Sequence, residues 1–233
     1  MERKKSLFLS LLLCVGIAVA MLYTSYEAAA YGERFLGKGR VWRIVIDPGH
    51  GGKDPGKVAA DGTKESDINL EIAKKLAKLF EAEGASVYLT RLEDESTYKN
   101  TEGFHKVKDM EARTTMVKER KADVLISIHQ NSYSDPGVRG PQVFFHGQST
   151  EGKKLAESIH ESIQKRVKPP KERQIKADNS YYLLKEADAV SVIVECGFLS
   201  NPEEMALLTG EEYQERMAWA VYMGTMKYLQ GSE

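Results

Sequence analysis

The sequence predicts an α/β protein, a three-layer domain around a largely buried sheet. Two observations carry that expectation. Apolar, β-rich runs alternate along the chain with amphipathic helical stripes, and turn residues separate them. Hydrophobic residues make up 42% and charged residues 29% of the 233 residues, which excludes a disordered or collagen-like chain.

The chain opens with what reads as an address. Arg3, Lys4 and Lys5 precede an uncharged, mostly apolar run at 7–23, and Ala28-Ala29-Ala30 supplies an A-x-A pattern. Basic, apolar and small-residue segments in that order predict a secretory signal. The apolar run is also close to the minimum for a spanning helix, so residues 1–30 are read as a signal peptide or an N-terminal membrane anchor. The basic triad places the rest of the chain outside the cytoplasm. A lipoprotein signal does not fit, because Leu13 is bulky where a small residue precedes a lipidated cysteine. A buried core helix, the plainer alternative, seldom starts behind three cations.

Residues 31–40 are polar and read as a linker, leaving 41–233 as the folded domain. Residues 41–47 (VWRIVID) form a first strand running into Pro48-Gly49. A helix over 66–83 follows from the stripe Ile72, Ala73, Leu76, Leu79 and Phe80, with Ser66 as its cap and Gly84 as its stop. Residues 86–90 are a second strand, 109–121 a helix, and 124–129 (VLISIH) an almost wholly apolar strand. Residues 142–146 are a fourth strand, and 152–167 a helix closed by Pro169-Pro170. Strands at 181–184 and 190–195 (VSVIVE) and a last helix over 211–229 complete the map.

Charge and cysteine usage exclude further classes. Lys plus Arg is 33 and Asp plus Glu is 34, a net charge of -1, so there is no basic footprint for nucleic acid. Of the two cysteines, Cys14 falls in the leader. Cys196 alone remains, which excludes a disulfide scaffold and a four-cysteine zinc ribbon.

Chemically capable residues gather at strand ends, where open α/β sheets place their sites. His50 follows the first strand, His129 ends VLISIH, and Glu195 ends VSVIVE. Glu65 stands beside the start of the first helix. Two histidines and a carboxylate suit Zn²⁺, and one further carboxylate off the metal can move protons. Each residue also has a structural reading. His50 can serve a glycine turn, His129 can be a satisfied core histidine, and Glu65 can complement a helix dipole. Glu195 is harder to explain so, because a carboxylate after VSVIV is costly to bury unpaired. The glycines of HGGKDPG fit neither phosphate-loop spacing. His105 and His160 read as solvated, His146 as a rim residue, and Cys196 as a small buried residue rather than a nucleophile.

The segments IVIDPGHGGKDPG (44–56), KESDINLEIAKKL (64–76), TR (90–91), ADVLISIHQNS (122–132) and NSYYLL…VSVIVECGFLSNPEE (179–204) occur in order. Together they resemble the zinc-dependent N-acetylmuramoyl-L-alanine amidases of the bacterial cell wall, over about residues 41–229. The resemblance implies a twisted, mostly parallel sheet of about six strands with helices on both faces. It implies that His50, Glu65 and His129 bind zinc, that Glu195 is the catalytic carboxylate, and that Arg91 makes a structural pairing. The implied reaction hydrolyses the amide between the lactyl group of N-acetylmuramic acid and L-Ala of the stem peptide. A lone catalytic domain behind one apolar segment is most similar to spore-cortex members, which implies cortex maturation through muramic-lactam formation.

Two departures from the family stand out. The connector at 94–108 is longer than usual and reads as a lid or a partner-contacting loop. No long helical insertion separates His129 from Glu195, so a built-in plug over the zinc is not expected. The expected partners are peptidoglycan, the membrane if the leader persists, and an activating protein, since the ligands come from separate loops. Two rival readings remain: a zinc endopeptidase cutting within the stem peptide, and a catalytically silent wall-binding or regulatory module.

Overall fold

In the computed structural model, which describes residues 40–99 and 105–231, the expected alternation is present. The chain forms β1 (Arg43–Pro48), α1 (Glu65–Ala82), β2 (Ser86–Leu89), α2 (Lys106–Glu119), β3 (Val124–Asn131) and β4 (Gln142–Phe145). It continues with α3 (Thr150–Arg166), β5 (Lys176–Ala177), α4 (Tyr182–Glu186), β6 (Val190–Phe198), α5 (Pro202–Leu208) and α6 (Glu211–Gly231). The expected leader at 1–30 and nearly all of the linker lie outside the described residues.

The six strands make one sheet in the order β2-β1-β3-β6-β4-β5. β2, β1, β3 and β6 run parallel, while β4 is antiparallel to β6 and parallel to the edge strand β5. The fold is therefore the mostly parallel α/β sheet that the sequence predicts. Its central strands are continuous apolar runs because both faces are covered. Ile44, Val45, Ile46, Val124, Ile126, Val192 and Val194 are all 0% exposed.

Alternation within the strands sends successive side chains to opposite faces. On one face Val45 and Leu125 pack with Val117 of α2 and Leu183 of α4. Over the other, α6 packs on both α1 and α3. The approach to α3 is close enough that a Cβ on Gly224 would stand 2.5 Å from the Ile159 Cα. From β1 the chain goes outward to β2, then returns to β3 on β1's other side. This reversal opens a crevice beyond the carboxyl ends of β1 and β3, where α/β folds place ligands.

Four local expectations are corrected. Residues 181–184 are not a strand. Tyr182–Glu186 is a short helix, which lets the adjacent Leu183 and Leu184 enter two different apolar clusters. The sheet's remaining strand is instead the two-residue Lys176–Ala177. Ser66 does not cap α1: the cap is Lys64, without a side-chain bond, and carbonyls of the preceding loop do the work. Lys57 O accepts from the Glu65 N–H at 2.8 Å and Pro55 O from the Ser66 N–H at 3.1 Å. The helix α5 was not expected, although Asn201 caps it and Pro202 opens it in the usual manner.

Candidate metal centre

The turn after β1 carries His50 in a left-handed conformation, φ +63°, that costs a non-glycine residue about 1–3 kcal/mol. Surrounding contacts hold it there. The Arg113 guanidinium donates to the carbonyls of His50 at 2.8 Å and Pro48 at 3.2 Å. Arg91 donates to the carbonyls of Pro48, Gly49 and Ser66 at 2.9, 3.1 and 2.7 Å. Two buried cations thus clasp the backbone of one turn, and Arg91 has the structural role the resemblance implied. At the ring, His50 Nδ1 lies 2.9 Å from Asp54 Oδ2. His50 Nε2 faces Glu65, 3.2 Å from its Oε1.

Glu65 is the first residue of α1 and is 4% exposed. Its Oε1 lies 2.9 Å from His129 Nδ1 and accepts from the Gln130 N–H at 3.1 Å. Its Oε2 accepts from the Lys57 N–H at 2.8 Å. Burial works against the charge, but His129 and His50 outweigh it and hold the carboxyl well below the usual carboxylate range. The His50 imidazole is pushed up: burial opposes its charge, and Glu65 and Asp54 outweigh that. The close fit needs glycine at position 56, where φ is +65° and a Cβ would stand 2.5 Å from Glu65 Oε2.

His129 and Glu195 sit at paired positions on β3 and β6. The ladder is irregular just beyond them, between His129 and Asn131, a feature common beside active sites. A Cβ on Gly49 would lie 2.2 Å from the His129 ring, so only glycine leaves that ring its place. Glu195 is 7% exposed, and its Oε2 has no hydrogen-bond partner among the described residues. Burial pushes its carboxyl up to about 7, against the pull of His129 and His50.

The donor atoms of His50, Glu65 and His129 all lie within 4.8 Å of one another. Ligands ~2.0–2.2 Å from a tetrahedral zinc stand ~3.3–3.6 Å apart, close to the 2.9 and 3.2 Å separations from Glu65 Oε1. These residues can therefore hold a divalent ion, with Glu195 as a free acid in the same cavity of about 440 Å³.

All four sequence-predicted site residues line that cavity. His105 is exposed, as expected, and His146 is half-buried, while neither lines the cavity. His160 is not solvated as expected: its side chain is 15% exposed and lies 3.3 Å from Glu172. Cys196 is fully buried, and burial pushes its thiol pKa far up, which excludes a nucleophile. Of the 94–108 connector, residues 100–104 lie outside the described residues. Its start packs on the glycine turn, where Asp94 accepts from the Gly52 N–H at 2.8 Å.

Sequence reasoning passed over Asp47, Asp54 and Arg113. Asp47 is fully buried, with Ser127 and Thr90 hydroxyls donating to it at 2.6 Å and Arg113 beside it. Its signal was available, since VWRIVID ends in an acid just as VSVIVE does. Asp54 and Arg113 carried none, because their roles depend on the folded turn.

A three-layer α/β domain with two histidines and a carboxylate poised for one metal beside a buried acid has the makings of a hydrolase. The chain belongs to the N-acetylmuramoyl-L-alanine amidase family, whose sequence profile matches residues 44–227. It is 32% identical over 189 residues to the germination-specific N-acetylmuramoyl-L-alanine amidase of Bacillus subtilis, covering 80% of this chain and 79% of that protein. It resembles the CwlD amidase of Clostridioides difficile, solved in complex with the GerS lipoprotein, with TM-score 0.77 and 39% identity over 81% of this chain and 98% of that one. A second amidase from Clostridium difficile 630 aligns with TM-score 0.74 and 31% identity, covering 84% of this chain and 100% of that one. The protein is an enzyme of the N-acetylmuramoyl-L-alanine amidase class, acting on peptidoglycan.

Proposed function

We propose that the enzyme is zinc-dependent, with His50, Glu65 and His129 as the ligands and Glu195 as the catalytic acid and base. The observation that carries this reading is the buried, partnerless Oε2 of Glu195 in the cavity that holds the His-Glu-His cluster. A bound zinc ion supplies a Lewis acid that polarises a carbonyl and makes water acidic near neutral pH.

The protein's own groups divide the remaining work. The Asp54 carboxylate stands 2.9 Å from His50 Nδ1, and the N–H groups of Lys57 and Gln130 hold the Glu65 carboxylate. Glu195 takes a proton from the attacking water at its free oxygen. It returns that proton to the amine nitrogen of L-Ala as the bond to the lactyl carbonyl breaks. Burial raises the Glu195 carboxyl, which favours its holding a proton between the two transfers.

The setting proposed is spore cortex maturation through muramic-lactam formation, in which removal of the stem peptide frees the lactyl carboxyl that the lactam contains. The similarity to a germination-specific relative supports this. The complex formed by the C. difficile relative supports a protein partner here as well. Export, with residues 7–23 as signal or anchor, completes the proposal. Among the described residues no helix is long and apolar enough to cross a membrane, and 7–23 lies outside them.

The test is mass spectrometry of purified peptidoglycan digested by zinc-loaded protein. Free lactyl carboxyl groups and peptides beginning at L-Ala are expected. New termini within the stem would instead mean an endopeptidase, and no release at all a silent module.

A further inference from the structure

Asn69 is 0% exposed and lies on α1 four residues after Glu65, on the same face of the helix. A helix interior disfavours asparagine, and burying its amide is costly unless hydrogen bonds replace water. The helix buries Ile68, Leu70, Ile72 and Ala73 nearby, so packing alone does not call for an amide there. Its partners account for it. Nδ2 donates to the Gly49 carbonyl at 3.0 Å and to Glu65 Oε1 at 3.4 Å. Oδ1 accepts from Gln130 Nε2 at 3.1 Å. The way round of the Asn69 amide follows, because the Gly49 carbonyl can only accept.

The three partners come from three separate stretches of chain. Gly49 directly precedes His50 in the turn after β1, Glu65 opens α1, and Gln130 directly follows His129 on β3. Each is a proposed metal ligand or the immediate chain neighbour of one. Glu65 Oε1 is also the oxygen that faces both histidines, 3.2 Å from His50 Nε2 and 2.9 Å from His129 Nδ1. Asn69 is not among the described residues that line the cavity, so it sits behind the donor atoms.

We infer that Asn69 is a positioning residue for the metal centre, a buried amide that joins the His50 turn, the Glu65 carboxylate and the His129 strand and so sets the three donor atoms before an ion arrives. This rests on the zinc reading and adds to it the group that preorganises the site. Ligands already held in place leave less ordering to the binding step. Groups that hydrogen-bond behind metal ligands are commonly worth about 10–100-fold in affinity.

The experiment measures the zinc affinity of wild type, Asn69→Ala and Leu76→Ala by competition with a chelating dye, together with the urea midpoint of each metal-free protein. Leu76 is likewise 0% exposed on α1 and is not among the described residues that line the cavity, so it controls for lost packing. Asn69→Ala is expected to raise the zinc Kd about 10-fold. Leu76→Ala should keep the wild-type Kd although its urea midpoint falls. A wild-type Kd in Asn69→Ala, or the same rise in both variants, overturns the inference. Should Asn69→Ala fail to fold, the crystal structure of zinc-loaded wild type decides. Asn69 Nδ2 within hydrogen-bond distance of both the Gly49 carbonyl and Glu65 Oε1 is expected there, and an amide turned away from either overturns the inference. Wild type that binds no zinc overturns the zinc reading instead.

Discussion

His129 and Glu195 are register partners across the central β3–β6 ladder, yet their environments are opposed. His129 Nδ1 has Glu65 at 2.9 Å, whereas Glu195 Oε2 has no partner among the described residues. One ladder position thus carries the proposed ligand, and the next strand carries the free acid. The parallel sheet fixes their spacing at about 4.8 Å without help from any loop.

Replacing Glu195 by Gln separates catalysis from folding. Turnover on peptidoglycan should fall by about 10²–10⁴-fold while zinc per chain stays unchanged. The metal-free variant should also be more stable than the metal-free wild type. With the folded carboxyl at about 7 and the unfolded one at 4.5, wild type loses stability as pH rises from 4.5 through 7. The gain in the variant should therefore be absent at pH 4 and reach on the order of 1–3 kcal/mol at pH 8. Thermal melts of the two metal-free proteins across that range check this.

Removing a ligand acts on the metal first. His129→Ala should lower zinc per purified chain, because only two of the three donor atoms within 4.8 Å remain. Elemental analysis reads this directly, and an unchanged ratio takes His129 out of the ligand set.

Asp54 acts through His50. Asp54→Asn removes the carboxylate charge 2.9 Å from His50 Nδ1 and leaves an oxygen to accept from the Gly56 N–H. Zinc affinity should drop by about 10–100-fold, measured by competition with a chelating dye. Restoration by Asp54→Glu would tie the effect to the carboxylate.

The Asp47–Arg113 pair governs acid tolerance. Burial alone would raise the Asp47 carboxyl, but Arg113 and the hydroxyls of Ser127 and Thr90 overcome it and bring it down to about 2. A depressed folded pKa stabilises above the unfolded value of 3.8 and loses that contribution as pH falls toward 2. Roughly 2 kcal/mol should disappear over that interval. Arg113→Met leaves a buried carboxylate unpaired and should cost about 3–5 kcal/mol at pH 7, read by urea denaturation.

The parts of the molecule legible from sequence were those dictated by local pattern. Apolar runs such as VLISIH and VSVIVE could only be buried strands, so their terminal His129 and Glu195 were bound to emerge at one edge of the sheet. Glu65 was legible through the family motif, since a first-turn acid is ordinarily explained by the helix dipole. The short aromatic run at 181–184 was misread because four residues do not distinguish a strand from one helical turn, and tertiary packing decided. Asp54 and Arg113 were invisible for another reason. Charged residues in polar stretches read as solvated faces until the fold brings them to the His50 turn.

The most direct measurement is the anomalous difference map at the zinc edge from crystals of the zinc-loaded protein. The account predicts one strong peak per chain, bonded to His50 Nε2, Glu65 Oε1 and His129 Nδ1, with Glu195 beside it and not bonded. A peak elsewhere, no peak, or Glu195 in the bonded set in place of Glu65 would contradict it.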